Sequence, residues 1–149
     1  MTAHELQDLF DRVRRGELDP SAAAGLMLTA LRAAPFEDMG FARVDTQREL
    51  RQGFPEVILG LGKTPAQVAA IAERIVAQGQ TLLVTRAEPD AYDSVSARLP
   101  DAKYHAVARA ITLARSDVPT GKGTVLITCA GTSDLPVAEE AAVTAAVMG

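Results

Sequence analysis

The residues that most strongly indicate chemistry lie in the stretch EVILGLGKTP, where a lysine and a threonine follow a glycine-containing turn. A phosphate-binding P-loop has the pattern GxxxxGK[ST], because its two glycines let the backbone wrap its amides around a phosphate. Counting back from Lys63, the first glycine of that pattern would fall at Val57, so a P-loop is excluded. Thr64 and Gln67 instead predict a capping box, with Pro65 at the first helical position. A phosphate contact at this helix start, beside Lys63, remains open.

A second candidate is the charged segment ARVDTQRELRQGFPE. Arg48 and Arg51 are three residues apart, so they share one face if the segment is helical. One interpretation is a solvated surface turn with internal ion pairs. The other is that the two planar guanidinium groups bind a phosphate or carboxylate through bidentate hydrogen bonds. Composition alone leaves both interpretations open.

A third candidate is the turn GTSD, residues 131–134, which stands between an apolar run and a final helix. The order strand, small-residue turn and helix presents backbone amides to an anion. The alternative is structural, with Ser133 as the helix N-cap and Asp134 in the first turn.

Composition excludes several classes of function. The net charge of −4 argues against a nucleic-acid surface, because no basic stripe is available to neutralise phosphates. The single cysteine, Cys129, excludes an internal disulfide and fits a reducing compartment. No signal peptide opens the chain, and no apolar run reaches the roughly 18 residues of a membrane span. We therefore predict a cytoplasmic protein with neither a nucleic-acid nor a membrane partner.

The elements that must position these candidates begin with a helical hairpin over residues 1–34. Thr2 to Arg15 predicts a helix, and Asp19 followed by Pro20 starts a second one. The buried stripe of the second helix is predicted at four apolar positions, namely Ala24, Met27, Leu28 and Leu31.

Residues 35–115 predict a small α/β domain of three layers. Two short apolar strands flank an amphipathic helix, which indicates a βαβ unit with a right-handed crossover. A further helix follows, and AKYHAVARAITL is compatible with either a strand entering a turn or a short helix. Residues 116–123 predict a linker, broken by proline and glycines.

Residues 124–149 predict one buried strand, TVLITCA, and one helix that is apolar on much of its circumference. A parallel sheet needs neighbouring strands and helices on both faces. This segment is therefore predicted to be the first βα unit of a parallel doubly wound domain, and the fold class to be α/β. An apolar helix that lacks its cover also predicts self-association or an exposed apolar patch.

Three blocks of the sequence resemble the LarB family, the nicotinic acid adenine dinucleotide carboxylases/hydrolases that begin synthesis of the nickel-pincer nucleotide. These blocks are VDTQRELRQGFPEVILGLGKTPAQ, YHAVAR and AGTSDLPVAEEAAVTA. The third block is long and unusual in composition, and it is similar to the start of a domain related to aminoimidazole ribonucleotide carboxylase/mutase.

The resemblance implies carboxylation of C5 of the substrate's pyridinium ring, with CO2 or bicarbonate as co-substrate, and hydrolysis of the phosphoanhydride to release AMP. It further implies covalent catalysis by a cysteine, a divalent metal ion such as Mg²⁺, no organic cofactor, and assembly into a homo-oligomer. The family's nucleophilic cysteine is expected beyond Gly149, so no catalytic residue is expected in this chain. Cys129 is expected to be a small core residue of the predicted strand.

Carried over residue by residue, the resemblance implies that two groups bind nicotinic acid adenine dinucleotide. The first group binds the phosphates and comprises Asp45, Arg48, Arg51 and Lys63. The second group binds the ribose-phosphate and comprises Gly131, Thr132, Ser133 and Asp134. Two rival functions remain. One is a non-catalytic nucleotide-binding or oligomerisation module, and the other is a relative of the purine-pathway carboxylase/mutase, which shares the GTSD loop.

Overall fold

The computed structural model describes residues 3–32, 36–45, 47–114 and 121–149. The chain divides into two compact units, Met1–Phe54 and Pro55–Gly149. The architecture is mixed α/β, as the sequence predicts, with a two-stranded sheet in the first unit and a four-stranded sheet in the second. None of the helices within the described ranges is long and apolar enough to cross a membrane.

The first unit consists of a helical hairpin, a short antiparallel strand pair and one short helix. The second helix begins where predicted, because the Asp19 carboxylate accepts hydrogen bonds from the amides of Ser21 and Ala22 at 2.8 and 3.3 Å. The elements are α1 Ala3–Arg14, α2 Pro20–Arg32, β1 Phe36–Asp38, β2 Arg43–Asp45 and α3 Arg48–Gln52. Thr2, where the first helix is predicted to begin, lies outside the described residues.

The predicted buried stripe of α2 is wrong. Leu28 and Leu31 are 50% and 67% exposed, whereas Ala23, one position before the predicted stripe, is buried. The sequence PSAAAGLMLTALR is apolar around most of its circumference. Because periodicity identifies a buried face only when the opposite face is polar, the pattern could not choose between the sides of this helix.

The second unit contains the predicted βαβ arrangement. In the four-stranded sheet, the strands at residues 57–59 and 82–85 are parallel to each other, and the remaining strand pairs are antiparallel. The ambiguous segment AKYHAVARAITL forms two antiparallel strands joined by a turn. The elements are β3 Val57–Leu59, α4 Pro65–Ala77, β4 Leu82–Thr85, α5 Pro89–Ser96, β5 Lys103–His105, β6 Ala110–Leu113 and α6 Leu135–Met148, with strand order β3-β4-β6-β5.

Helices cover both faces of the four-stranded sheet, which gives three layers. On one face, Ile58, Val84 and Ile111 lie side by side in register and are buried. Tyr104 lies on the same face and stacks on Tyr92 of α5, with ring centroids 5.2 Å apart. The core on this side is completed by the buried face of α4, which comprises Val68, Ala69, Ile71, Ala72 and Ile75.

The opposite face of the sheet is covered by α6. Leu83 and Thr112 are paired on this face and are buried. A cavity of about 660 Å³ lies between α6 and strands β5 and β6, with His105 and Thr112 on the sheet side and Ala142 on the helix side. The final helix therefore covers part of the sheet, although the sequence predicts it to belong to a separate domain.

The predicted strand at TVLITCA is not formed, and the predicted βα unit is therefore represented by its helix alone. Residues 124–130 have no strand assignment, and Val125 and Leu126 are 73% and 83% exposed. A strand is stabilised by ladder hydrogen bonds to a neighbour, and no described strand pairs with this segment. Cys129 is consequently exposed and is not the core residue that the sequence predicts.

Candidate functional site

The first group of predicted substrate residues begins at the turn between β2 and α3. Asp45, the last residue of β2, is 7% exposed, and its Oδ1 accepts a hydrogen bond from the backbone amide of Gln47 at 3.1 Å. The Gln47 side chain donates to the carbonyl of Ala30 in α2 at 3.2 Å. Asp45 therefore shapes the turn from a buried position, and Gln47 ties the turn to the helical hairpin.

Helix α3 contains both arginines of the predicted phosphate-binding pair. Arg48 is its first residue and is half-buried. The helix ends at Gly53, which has the left-handed conformation (φ 76°) and donates its amide to the carbonyl of Glu49 at 2.8 Å. The helical spacing predicted for Arg48 and Arg51 is thus confirmed for the backbone, whereas the side chain of Arg51 lies outside the described part of the chain.

Lys63 lies in the turn between β3 and α4, where its amide donates to the carbonyl of Gly60 at 3.0 Å. The predicted capping box follows: Gln67 N–H donates to Thr64 Oγ1 at 3.3 Å, and Thr64 N–H donates to Gln67 Oε1 at 3.0 Å. Two amides at this helix start are therefore already paired, and Pro65 has none. The capping interpretation is confirmed, and it leaves little of this terminus for an anion.

The GTSD turn forms one turn of 3₁₀ helix, Thr132–Asp134, directly before α6. The Asp134 carboxylate accepts hydrogen bonds from the Gly131 amide at 3.3 Å and from the Ser133 hydroxyl at 3.4 Å. Ser133 is therefore not the N-cap of α6, because the residue before that helix is Asp134, whose side chain turns back onto Gly131. Thr132, Ser133 and Asp134 are exposed, so a ligand can reach the turn.

The structure places seven of the eight predicted residues in two groups. Asp45, Arg48 and Arg51 lie on neighbouring elements of the first unit, and residues 131–134 form one hydrogen-bonded turn in the second. Lys63 also belongs to the second unit, on the loop after β3.

Sequence reasoning missed two arginines, Arg86 and Arg109. Both are non-glycine residues in the left-handed region, with φ of 52° and 49°. Arg86 follows β4 directly, and Arg109 closes the turn between β5 and β6, at the end of the YHAVAR block. An arginine in a sequence does not indicate the left-handed conformation. A charged residue directly after a predicted strand was a weak indication of a functional position.

The two arginines are linked through the backbone of Ala87. The Ala87 amide donates to the carbonyl of Arg109 at 2.7 Å, and the Tyr104 hydroxyl donates to the carbonyl of Ala87 at 3.2 Å. Burial raises the pKa of Tyr104, and the negative charge of Glu88 raises it further, while Arg109 lowers it. The loop after β4 is thus held against the β5–β6 turn.

No three His, Cys, Asp or Glu side chains within the described residues are grouped so that they could hold a metal ion. These residues alone therefore do not fit the divalent ion that the resemblance implies, and we derive no metal-dependent step from them.

Comparison with known proteins identifies related sequences. A family model described as the LarB/PurE-like N-terminal domain matches residues 36–115, more than half of the chain's 149 residues. An uncharacterized protein of Methanocaldococcus jannaschii, MJ0165, is 32% identical over 113 residues. That match covers 72% of this chain and 44% of the relative, so the chain spans less than half the length of the curated relative that it matches.

Proposed function

This chain belongs to the LarB/PurE-like N-terminal domain family, and from this premise we propose that it supplies substrate-binding residues to a carboxylase that acts on a pyridinium dinucleotide. The family is of the carboxylase/mutase type. The specific reaction that we propose is C5-carboxylation of nicotinic acid adenine dinucleotide together with hydrolysis of its phosphoanhydride. The observation that carries the proposal is the family match over residues 36–115, which includes Asp45, Arg48, Arg51 and Lys63.

In this proposal the β2–α3 turn binds the phosphates of the dinucleotide. The buried carboxylate of Asp45 holds the turn, and the Gln47 side chain fastens it to Ala30. Arg48 begins the short helix that follows, so its backbone position is set by these two anchors. A guanidinium group placed in this way can donate two parallel hydrogen bonds to one phosphate.

The GTSD turn takes the ribose-phosphate in the same proposal. The Asp134 carboxylate occupies the Gly131 amide and the Ser133 hydroxyl, which are two donors that a phosphate oxygen would need. Both hydrogen bonds are long and exposed, so an incoming phosphate can replace the carboxylate at modest cost. The closed turn is then the resting form, and binding turns the Asp134 side chain away.

The chemical steps require groups that the described residues do not supply. Addition of a cysteine to the pyridinium ring would generate the enamine that attacks CO2. Cys129 is exposed, and the resemblance places the nucleophilic cysteine of the family elsewhere. We therefore assign this chain substrate binding and assign it no catalytic residue.

Calorimetric titration with nicotinic acid adenine dinucleotide tests the proposal. We expect the wild-type chain to bind and both Arg48→Ala and Ser133→Ala to bind more weakly, by on the order of tenfold each. Arg14→Ala is the matched control, because Arg14 is an exposed arginine of the same unit, paired with Asp11 at 3.2 Å. Equal weakening in Arg14→Ala, or no heat from a folded wild-type chain, would contradict substrate binding by these residues.

We also propose that the chain self-associates. The second unit exposes several large apolar side chains, and removing such side chains from water against a partner is favourable. These residues are Leu59, Leu61, Val125, Leu126, Leu135 and Val137. Light scattering after size-exclusion chromatography should show a mass above that of one chain, and a monodisperse monomer would count against the proposal. If the dinucleotide does not bind, self-association is still expected under the alternative function, a non-catalytic oligomerisation module.

A further inference from the structure

Arg86 and Arg109 hold a backbone conformation that is unfavourable for arginine. Both have φ near 50°, in the left-handed region that glycine adopts without steric cost. Ala87 is buried, and both of its backbone polar groups are paired. Its N–H donates to the carbonyl of Arg109, and its carbonyl accepts a hydrogen bond from the Tyr104 hydroxyl. Strain held in place in this way is concentrated at ligand-binding and catalytic sites.

The two arginines lie at the edge where α/β sheets bind ligands. Strands β3 and β4 are parallel, and Arg86 directly follows the carboxyl end of β4. Gly60 follows the carboxyl end of β3 and donates its amide to the carbonyl of Thr85 at 2.7 Å. A Cβ at Gly60 would lie 2.9 Å from the carbonyl oxygen of Arg86, so the two loops approach as closely as glycine permits.

The guanidinium groups keep donors that their present partners do not use. Arg86 Nε lies 2.9 Å from Glu140 Oε2, and Arg109 Nη2 pairs with Glu88 Oε1. A guanidinium has five N–H donors, so one carboxylate does not satisfy it. The Nε of Arg109 is buried and has no hydrogen-bond partner among the residues that the structure describes. Both side chains are nevertheless accessible, at 49% and 42% exposure.

We propose that Arg86 and Arg109 form a binding site for the diphosphate group of a ligand. The planar forks of two arginines suit the tetrahedral oxygens of adjacent phosphates. Glu88 and Glu140 hold the guanidinium groups when the site is empty, and the diphosphate displaces Glu88 from Arg109. The site is inferred from these contacts, and the inference does not depend on the reaction proposed above. A dinucleotide and free pyrophosphate share this chemistry and are its two candidate sources.

Calorimetric titration with inorganic pyrophosphate at low ionic strength tests the site. We expect Arg109→Gln to bind on the order of tenfold more weakly than the wild type, because hydrogen bonds between charged groups are lost. The matched control is Arg98→Gln, which removes an exposed arginine of the same unit that pairs with Glu73 at 3.0 Å. Its affinity should equal that of the wild type. Equal loss in both variants, or no binding by the wild type, would overturn the site.

Two further variants separate binding from folding. Arg109→Gly removes the guanidinium and relieves the left-handed backbone, so it should weaken pyrophosphate binding as much as Arg109→Gln while the melting temperature stays equal or rises. Glu88→Gln removes the competing carboxylate and should strengthen binding several-fold. Unchanged affinity in Arg109→Gly, or weaker binding in Glu88→Gln, would contradict the proposal.

A competition titration identifies the source of the diphosphate. If nicotinic acid adenine dinucleotide displaces pyrophosphate from the wild type but not in the Arg109→Gln variant, the site binds the dinucleotide, and the diphosphate is then bound here instead of at the β2–α3 turn. If pyrophosphate binding persists in the presence of the dinucleotide, the site binds a free diphosphate. Either result supports the site, and an Arg109-independent competition would overturn it.

Discussion

The Nε atom of Arg86 lies 2.9 Å from Oε2 of Glu140, and this ion pair joins the residue after β4 to helix α6. The side chains are 49% and 21% exposed, so solvent reaches the pair and screens it. We expect Arg86→Gln and Glu140→Gln each to lower the free energy of unfolding by less than about 1 kcal/mol. Their coupling in a double-mutant cycle should be positive and should shrink with added salt.

Urea unfolding of the two single variants and the double variant measures this coupling. Arg86→Gln is preferred to Arg86→Gly, because glycine would also change the left-handed backbone at that position. A coupling energy of zero at low salt would mean that the ion pair does not hold α6 on the sheet.

Gly60 and Gly62 lie in the same loop, and alanine should be costly at each for a different reason. At Gly60 a Cβ would meet the carbonyl oxygens of Arg86 and Thr85 at 2.9 and 3.1 Å. At Gly62 nothing lies within 4 Å, but φ is 79°. We expect Gly60→Ala to cost roughly 1–3 kcal/mol through displaced backbone and Gly62→Ala roughly 1 kcal/mol through the backbone conformation.

Denaturant unfolding distinguishes the two glycines. Gly60→Ala should also perturb anion binding at Arg86, because it pushes on the carbonyl of that residue, whereas Gly62→Ala should not. Identical and small losses of stability in both variants would show that the two loops can separate without cost.

The cap of α4 should contribute measurably to stability. Thr64→Ala removes the Oγ1 that accepts the Gln67 amide, and we expect a loss of about 0.5–2 kcal/mol in the free energy of unfolding. Thr64→Ser retains the acceptor and is the matched control, expected to stay close to the wild type. If serine were as destabilising as alanine in urea unfolding, the threonine methyl group rather than the cap would be the stabilising feature.

Features that depend only on residues close together in the sequence were predictable, and the α4 cap is the clearest case. Thr64, Pro65 and Gln67 interact with one another within one helical turn, so no distant part of the chain is needed to form the cap. The βαβ unit was predictable for the same reason, because two short apolar runs around an amphipathic helix have few arrangements. The buried positions of α4, among them Val68 and Ile75, follow from its clear periodicity.

Features that depend on a distant partner were not predictable. Residues 124–130 have the composition of a buried strand, but pairing decides whether a strand forms, and here none of the described strands pairs with them. Leu28 and Leu31 are exposed because α2 is apolar on several sides and packing selects the face. At the candidate site, the residues of GTSD were identified, but the return of the Asp134 carboxylate to Gly131 depends on a rotamer that no motif encodes.

Arg86 and Arg109 show a further limit of prediction from sequence. Their left-handed conformation is imposed by contacts across the sheet, namely the hydrogen bond between Ala87 and Arg109 and the packing of Gly60 on the Arg86 carbonyl. Sequence indicates this conformation only where glycine or asparagine stands. An arginine there can be recognised only after the fold is known.

Tyr104 should give the protein a defined pH dependence in the alkaline range. Burial raises its pKa above the ordinary value of about 10, and Glu88 raises it further. Below pH about 10 the phenol is protonated in both the folded and the unfolded chain, so its contribution to stability is fully present. As the pH rises through the folded pKa, the unfolded chain has already lost its proton, and the free energy of unfolding falls.

Two experiments test this behaviour. The chain has two tyrosines, so in a Tyr92→Phe variant the tyrosinate absorbance reports Tyr104 alone, while the ring stack of 5.2 Å is retained. Its midpoint should lie above the ordinary value, move down in Glu88→Gln and move up in Arg109→Gln. Tyr104→Phe should lose about 1 kcal/mol at neutral pH with the hydrogen bond to Ala87, and its stability should fall less at high pH. A midpoint at or below the ordinary value would show that the loop after β4 leaves the phenol hydrated and that the hydrogen bond to Ala87 does not persist in solution.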